Sequence, residues 1–423
     1  MDADKFLGHK DVRSAIQDAL SPEHYDQLRP WLQSIANDRK VDMAALKWFD
    51  QVAHGARTRA TIVGLGYRVS TMLVHGSSAA MESVAELGPK WMGAGLKDFA
   101  NPLQWSANKD FVFERSGEMR NRMNEVDRDV REHLREIEIR LMDTTEGAVA
   151  RGTDLMKARA YQGIAMLDMA SALPTWMGAY HKAMAAEADG GLGMGEADAV
   201  YFADKTVRNA HGGTGAKDLA AVQRGPEFFK LFTMFYTFWN HNVNRLMDTA
   251  RLAKSLPETF RTGEPGEFRG DLGRVIMRTL IYTLGVQAMH SMLYPSKDAE
   301  GDTNWLGWAA KEFTAAAFAG IPVLRDLSAH YLTGKDYAAT PAAGIVQAVG
   351  NSGTDAMNAM LGKEASPKVL KHTVTTAGYV FGLPLGQPAS TAQFLWDVSQ
   401  GDQNPETVGD WLRGVMHGEM RHR

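Results

Sequence analysis

Residues 117–142 read GEMRNRMNEVDRDVREHLREIEIRLM. Within them Met119, Met123, Val126, Val130, Leu134, Ile137 and Leu141 recur at steps of three and four, the heptad seam of an α-helix. The intervening positions are dense in Arg and Glu, whose i,i+4 pairing supports an exposed helix surface. A helix of this span is ~39 Å long at ~1.5 Å per residue. Two placements fit the pattern: a helix packed once against its own domain, or one strand of a coiled coil between subunits.

The helical reading extends outward on both sides, since no proline occurs in 103–173. Downstream, Leu155, Ala158, Tyr161, Ile164, Leu167 and Met169 predict a helix over 154–188, kinked at Pro174. Upstream, Ser21-Pro22-Glu23 is a helix start, with a serine cap, a first-turn proline and an acid. Leu28, Trp31, Leu32 and Ile35 follow at helical spacing, as do Leu46, Phe49, Val52 and Ala53. The apolar stretch ATIVGLGYRVSTMLVH, 60–75, is softened by glycine, and Gly88-Pro89 and Asn101-Pro102 punctuate the chain after it.

Beyond 188 two glycine-rich breaks, 188–199 and 211–218, flank the helix-like EADAVYFADKTVRNA. Then comes PEFFKLFTMFYTFWNHNVNRLMDTARLAK, in which Phe228, Phe229, Phe232, Phe235, Tyr236, Phe238 and Trp239 cover more than one face. A helix apolar almost all round must be buried in protein or in lipid. Residues 257–270, PETFRTGEPGEFRG, read as a linker. The run from Thr279 to Tyr294 carries no formal charge and includes Leu280, Ile281, Leu284 and Met289. At ~24 Å it falls short of the ~30 Å hydrocarbon core of a bilayer. After a polar loop, Trp305, Trp308, Phe313 and Phe318 lie in a second apolar helix with Pro322 as a hinge, so 274–332 reads as a hairpin. It is either buried in a folded domain or able to enter a membrane interface, where the two tryptophans would sit as interfacial aromatics. Proline dipeptides divide 340–423 into short helices, and only TVTTAGYVF, 373–381, has a noticeable β-branched content. The expected fold is all-α: an elongated multi-helix assembly with a long charged helix and an apolar C-terminal hairpin, in regions 1–105, 106–200, 201–270 and 271–423.

Composition narrows the chemistry. The 423 residues include no cysteine, which excludes disulfides, thiolate catalysis and cysteine-bound metals. A net charge of −4 argues against a globally basic nucleic-acid coat. A mean hydropathy of −0.28 does not fit an ordinary polytopic membrane protein. The opening MDADKFLGHK has no apolar core, so no export signal is expected there. The 23 methionines suit either a helical core or surfaces that repack against several partners.

Motifs for catalysis or cofactors are weak. Gly212-Gly213-Thr214-Gly215-Ala216-Lys217-Asp218 lacks the Gly-Lys-Ser/Thr order of a phosphate loop and follows no strand. Gly64-x-Gly66 and Gly193-x-Gly195 lack the third glycine of a dinucleotide fingerprint. One Glu-x-x-His, Glu419 to His422, stands alone where a di-iron site needs two plus further glutamates. No Gly-x-Ser-x-Gly elbow occurs, and Glu132, Glu136 and Glu138 lie on the charged helix face. His241 and His290 read as core or interface residues. No cofactor, metal or catalytic residue is therefore expected. Arg57, Arg59 and Arg68 flank the first apolar stretch, and Arg274 and Arg278 precede the long one. These five are candidate contacts for lipid or DNA phosphates, or ordinary solvated charges. Phe228, Phe229, Phe232, Phe235, Tyr236, Trp239, Leu280, Ile281, Leu284, Met289, Trp305, Trp308, Phe313 and Phe318 are the candidate membrane or subunit interface.

Several segments together carry a family resemblance. They are FADKTVRNAHGGTGAKDLAAVQRGPEFFKLFTMFYTFWNHNVNRL, 202–246; AAAFAGIPVLRDLSAHYLTGKDYAATPAAGIVQAV, 315–349; GYVFGLPLGQP, 378–388; and Trp411-Leu412-Arg413-Gly414. With 64–102 upstream, they resemble the C-terminal helical region of large polyvalent proteins of phages and prophages. Similar regions occur in the internal virion, or DNA-ejection, proteins of tailed phages. The most specific elements are Lys217-Asp218-Leu219 to Gln223-Arg224-Gly225 with the aromatic block after it, and Pro322-Val323-Leu324-Arg325-Asp326. The resemblance implies a non-enzymatic homo-oligomer, packaged inside the capsid with portal or other ejection proteins. It would then move to the host envelope, touching membrane and DNA backbone without reading sequence. Two other readings stay open: a soluble helical scaffold or adaptor for virion proteins, and a cell-wall-degrading enzyme.

Overall fold

The computed structural model describes residues 2–19, 21–36, 47–68, 79–122, 148–212, 226–231, 236–262, 265–281, 343–363 and 368–420. It also describes isolated positions at 134, 137, 138, 141, 142, 223 and 233. Among the described residues there is no strand, and the fold is all-α. The N-terminal helices are α1 (Asp2–Gly8), α2 (Lys10–Ala19) and α3 (Pro22–Ala36). Next come α4 (Trp48–Leu65), α5 (79–87), α6 (Pro89–Phe99), α7 (Trp105–Arg115) and α8 (Gly117–Arg122). The long α9 (Ala148–Met184) and α10 (Glu196–His211) follow, then the single turn α11 (Glu227–Lys230). Helices α12 (Tyr236–Thr262) and α13 (Pro265–Thr279) form a pair. The C-terminal unit is α14 (Ala343–Met360), α15 (Val369–Phe381), α16 (Gly386–Gln400) and α17 (Val408–His417).

Two hydrophobic cores share α9. In the first, Leu173, Trp176, Met177 and Met169 of α9 pack against Leu87, Met92, Phe99, Val112, Met119 and Val207. Trp176 is fully buried, stacks on Tyr180 at 5.2 Å and meets the edge of Phe111. In the second, Ala160 and Tyr161 of α9 pack with Ile62 and Val63 of α4, Ala348 of α14 and Tyr379 of α15. Burial at this density is the main stabilising term, at ~25 cal/mol per Å² of apolar surface. Helix α9 has 37 residues and so reaches ~55 Å, enough to serve both.

Two glycines allow α6 to cross α9 at backbone contact. A Cβ on Gly95 would lie 1.9 Å from the Pro174 carbonyl oxygen, and one on Gly178 would lie 2.3 Å from the Trp91 carbonyl oxygen. Pro174 sits inside α9 without ending it. At the far end of the chain, Thr407 and Asp410 form a capping box on α17. Bonds from Thr407, with Arg413 beside it, hold the Asp410 carboxyl down to about 2.

Three sequence expectations meet the structure differently. The 257–270 linker is mostly helix: α12 runs through Pro257 to Thr262 and α13 starts at Pro265, with Phe260 and Phe268 edge to face at 5.1 Å. Packing between the paired helices overrides the local proline and glycine signals. The β-branched stretch 373–381 is helical, within α15. Most of the charged helix 117–142 lies outside the described residues. Of its seam, Met119 is in the first core, Leu134 packs against the second and Ile137 has no exposed surface. Met119 and Ile137 are covered by this chain's own residues, and Leu134 is covered in part.

Candidate functional site

Helix α5 carries Glu82, Ser83 and Glu86 in the interior, with 3%, 0% and 9% exposure. Three buried polar groups on one short helix each require a partner. Ser83 and Glu86 find them on four different helices and Glu82 lies beside His241 of α12 without a hydrogen bond, which makes α5 a polar hub.

Glu82 and Glu86 are an i,i+4 pair on one face. They meet His241 and Arg245, an i,i+4 pair of α12. Glu82 Oε2 is 3.6 Å from His241 Nε2, and Arg245 Nη1 donates to Glu86 Oε1. The matched order means that α5 and α12 run in the same direction where they meet. Arg278 of α13 donates from Nη2 to the Glu86 carboxylate at 3.3 Å. Arg274, one turn earlier, is held by Asp271. Lys182, at the end of α9, stands within reach of these charges. Burial pushes its ammonium below the ordinary lysine value, Arg274 and Arg278 push the same way, and Glu86 opposes them. Two guanidinium nitrogens here, Nη2 of Arg245 and Nε of Arg278, are buried and have no acceptor among the described residues.

Ser83 faces the other way. Its Oγ donates to the Ala79 carbonyl at 2.7 Å and accepts from Thr175 Oγ1 at 2.7 Å. His211 Nε2 lies 3.1 Å from Ser83 Oγ and 3.2 Å from Thr175 Oγ1. Its Nδ1 is 3.7 Å from Asp168 Oδ1. Asp168 in turn takes two bonds from Arg122, at 2.8 and 3.0 Å, and Arg122 Nη1 donates to the Gly212 carbonyl. The side-chain types are those of a serine nucleophile relay. However, neither Ser83 nor the His211 side chain has exposed surface, and the Ser83 proton is bonded to a backbone carbonyl. Burial pushes the His211 imidazole well below its usual value; Asp168 opposes this and Arg122 adds to it. A neutral imidazole at this place ties α5, α9 and α10 together.

A second buried ion cluster joins α4 to α11. Arg57 Nη2 donates to Glu227 Oε2 at 2.9 Å, and Lys230 Nζ donates to Oε1 at 2.6 Å. His54 Nδ1 lies 3.2 Å from Oε2, and the Phe228 amide donates to Asp50 Oδ1. Burial alone would raise the Glu227 carboxyl, but His54, Arg57 and Lys230 together hold it far below the usual carboxylate range. Near the first core, Asp204 accepts from Ser116 and from the Trp176 indole at 2.6 and 2.7 Å. Burial nevertheless keeps its carboxyl above the ordinary value.

The five candidate phosphate contacts separate. Arg57 is a correction: at 1% exposure and with Nη2 on the Glu227 carboxylate, it does not face an outside phosphate in this fold. An arginine one helical turn from His54 on a buried face pairs inward because no solvent is there to hydrate it. Arg59 is exposed, and Arg68 is half-buried with Nη1 on the Gly64 carbonyl. Arg274 and Arg278 come together with Arg245 and Lys182, neither of which the sequence singled out. Among the interface candidates, Phe228 and Leu280 are exposed and Ile281 is half-buried. The side chains of Phe229, Phe232, Phe235, Tyr236 and Trp239 lie outside the described residues, as do Leu284, Met289, Trp305, Trp308, Phe313 and Phe318. The hairpin after 281 and the loop 213–218 lie there too. Among the described residues no helix is long and apolar enough to cross a membrane, and no group of three His, Asp or Glu side chains could hold a metal ion.

Comparison with protein-family models, curated proteins and solved structures finds no match.

Proposed function

We propose that the chain is a non-enzymatic, self-assembling phage virion protein of the DNA-ejection type, an elongated all-α subunit that changes its burial partners on delivery. The observation that carries this reading is the way α12 and α13 are held. They dock on α5 through charged pairs, Glu86 to Arg245 and Arg278. Meanwhile Met247, Phe260, Leu272, Ile276 and Leu280 of the same pair are exposed. A helix pair fastened by ions and apolar outside can exchange neighbours without uncovering a large apolar seam in the body. Exposed Met142, Met166, Met184, Met357 and Met360 add surfaces that repack easily. The buried state of Ser83 and His211 supports the non-enzymatic part. In this reading the subunit travels in the capsid with portal or ejection proteins. It then acts at the host envelope through its sister copies, membrane and DNA backbone.

A soluble adaptor for virion proteins is the second reading, favoured by exposed Val346, Phe381, Trp396, Val408 and Leu412 on the C-terminal helices. Flotation with phosphatidylglycerol/phosphatidylcholine vesicles, combined with light scattering, separates the two. The ejection reading expects vesicle capture or ring and tube formation, increased several-fold in Glu86→Gln. A monomer that ignores vesicles at every pH and detergent condition sinks it and leaves the adaptor.

A further inference from the structure

Four cations of three helices, Lys182 of α9, Arg245 of α12 and Arg274 and Arg278 of α13, gather around Glu86 and Asp271. The two carboxylates neutralise two of them. Glu82, one turn away, is turned to His241. The cluster is partly withdrawn from water: the Arg245 side chain is 9% exposed, Glu86 9%, Arg278 19%. A buried guanidinium N–H without an acceptor has lost its water and gained nothing in return. Arg245 Nη2 and Arg278 Nε are both in that condition. Among the described residues, Lys182, Arg245, Arg274 and Arg278 outnumber Glu82, Glu86 and Asp271, and two guanidinium N–H groups lack an acceptor, which is where an anion would fit.

We propose that this cluster binds a phosphate group, with Nη2 of Arg245 and Nε of Arg278 as inner donors and Lys182 and Arg274 as outer ones. Guanidinium groups match tetrahedral oxyanions through directed N–H donors, and an ammonium adds a point charge. A terminal phosphate or the free ion fits best, because it presents a dianion and several oxygens on one exposed end. An internal phosphodiester has one charge and is flanked by sugars on both sides, so it cannot reach donors this deep. The chemistry is shared by free phosphate and by a phosphomonoester lipid headgroup. A bound phosphate would compete with the Glu86 carboxylate for Arg245 and Arg278, and so would loosen the attachment of α12 and α13 to α5. The site does not depend on the ejection reading.

The full chain titrated with inorganic phosphate, against sodium chloride at equal ionic strength, provides the test by calorimetry and by phosphorus NMR. Saturable phosphate binding is expected, weakened at least tenfold in Lys182→Gln/Arg274→Gln, whose residues do not hold Glu86. Arg245→Gln should abolish it; circular dichroism of each variant separates lost binding from lost folding. In the wild type the Lys182 titration should move upward with phosphate present. Vesicles of phosphatidylcholine with and without phosphatidic acid assign the source: capture through phosphatidic acid points to a headgroup, and binding of the free ion alone to a soluble phosphate. Either sustains the site. The proposal is overturned by a response that sodium chloride reproduces, by undiminished binding in the folded Lys182→Gln/Arg274→Gln variant, or by duplex DNA binding through these residues without phosphate binding.

Discussion

At Glu227 one carboxylate answers three cationic or hydrogen-bonding neighbours, Arg57, Lys230 and His54, at 4% exposure. Glu227→Gln removes the carboxylate that Arg57 and Lys230 meet inside the protein. Breaking a buried pair in this way costs about 3–5 kcal/mol, which urea unfolding would register as a lower midpoint at unchanged slope. Replacing both partners, Arg57→Met with Glu227→Leu, should recover most of the loss. Acidity acts through the same residues. His211 is neutral in the fold because burial lowers its affinity for a proton, whereas the unfolded chain protonates it near the ordinary imidazole value of 6.5. The unfolded state then binds the extra proton, so stability declines as pH falls below about 6.5, by at most ~1.4 kcal/mol per pH unit. Glu227 adds a second step. Its contribution is complete above its unfolded value of 4.5 and is lost as pH falls below that, toward its much lower folded value. Melting temperatures measured from pH 8 to 4 should be flat at first, then slope downward, with His211→Gln removing the upper part of the slope. A curve rising on acidification would contradict both assignments.

At the scale of helices, the crossing of α6 over α9 rests on missing side chains. Gly95→Ala would place a methyl against the Pro174 carbonyl, a backbone atom that cannot step aside, and should cost about 3 kcal/mol or the fold itself. Gly93→Ala, on the same helix with open space around it, is the control. It should stabilise by about 0.5–1 kcal/mol through helix propensity. Thermal melts of the two variants therefore move in opposite directions. Elements were legible in the sequence where periodicity was long: Leu155 to Met169 announced α9, and Ser21-Pro22-Glu23 the start of α3. Local signals failed where tertiary packing outweighed them. Pro257 and the glycines after it imply a linker, yet α12 continues because its last turns lie against α13. The hub was less legible still. Arg274 and Arg278 stand out as a basic turn before an apolar run. Arg245 and Lys182 look like any other helix charges until α5 draws them together. Glu82 and Glu86 are likewise ordinary at the level of spacing, because an i,i+4 acidic pair does not say whether water or an arginine answers it.

For the whole molecule, the division of labour is between apolar cores and ionic joints. Both cores are built of aromatic and aliphatic side chains, with methionines in the first, while among the described residues the attachments of α12 and α13 to α5 and of α11 to α4 include charge pairs. Glu86→Gln should therefore leave the cores intact and raise amide exchange selectively in α12 and α13, by tenfold or more. Uniform exchange increases throughout the chain would show that the pair is part of the body rather than fastened to it. The all-α class could be read in advance because helical periodicity repeats along the chain; the partition into cores and joints could not, since each joint unites stretches far apart in sequence.

Helix α9 gives Trp176 to one core and Tyr161 to the other without a break between them. A single rod threaded through both ends makes them one thermodynamic unit: melting either end removes the scaffold of the other. Scanning calorimetry should record one endotherm for both, and a cut midway along the rod should release two halves that no longer fold apart.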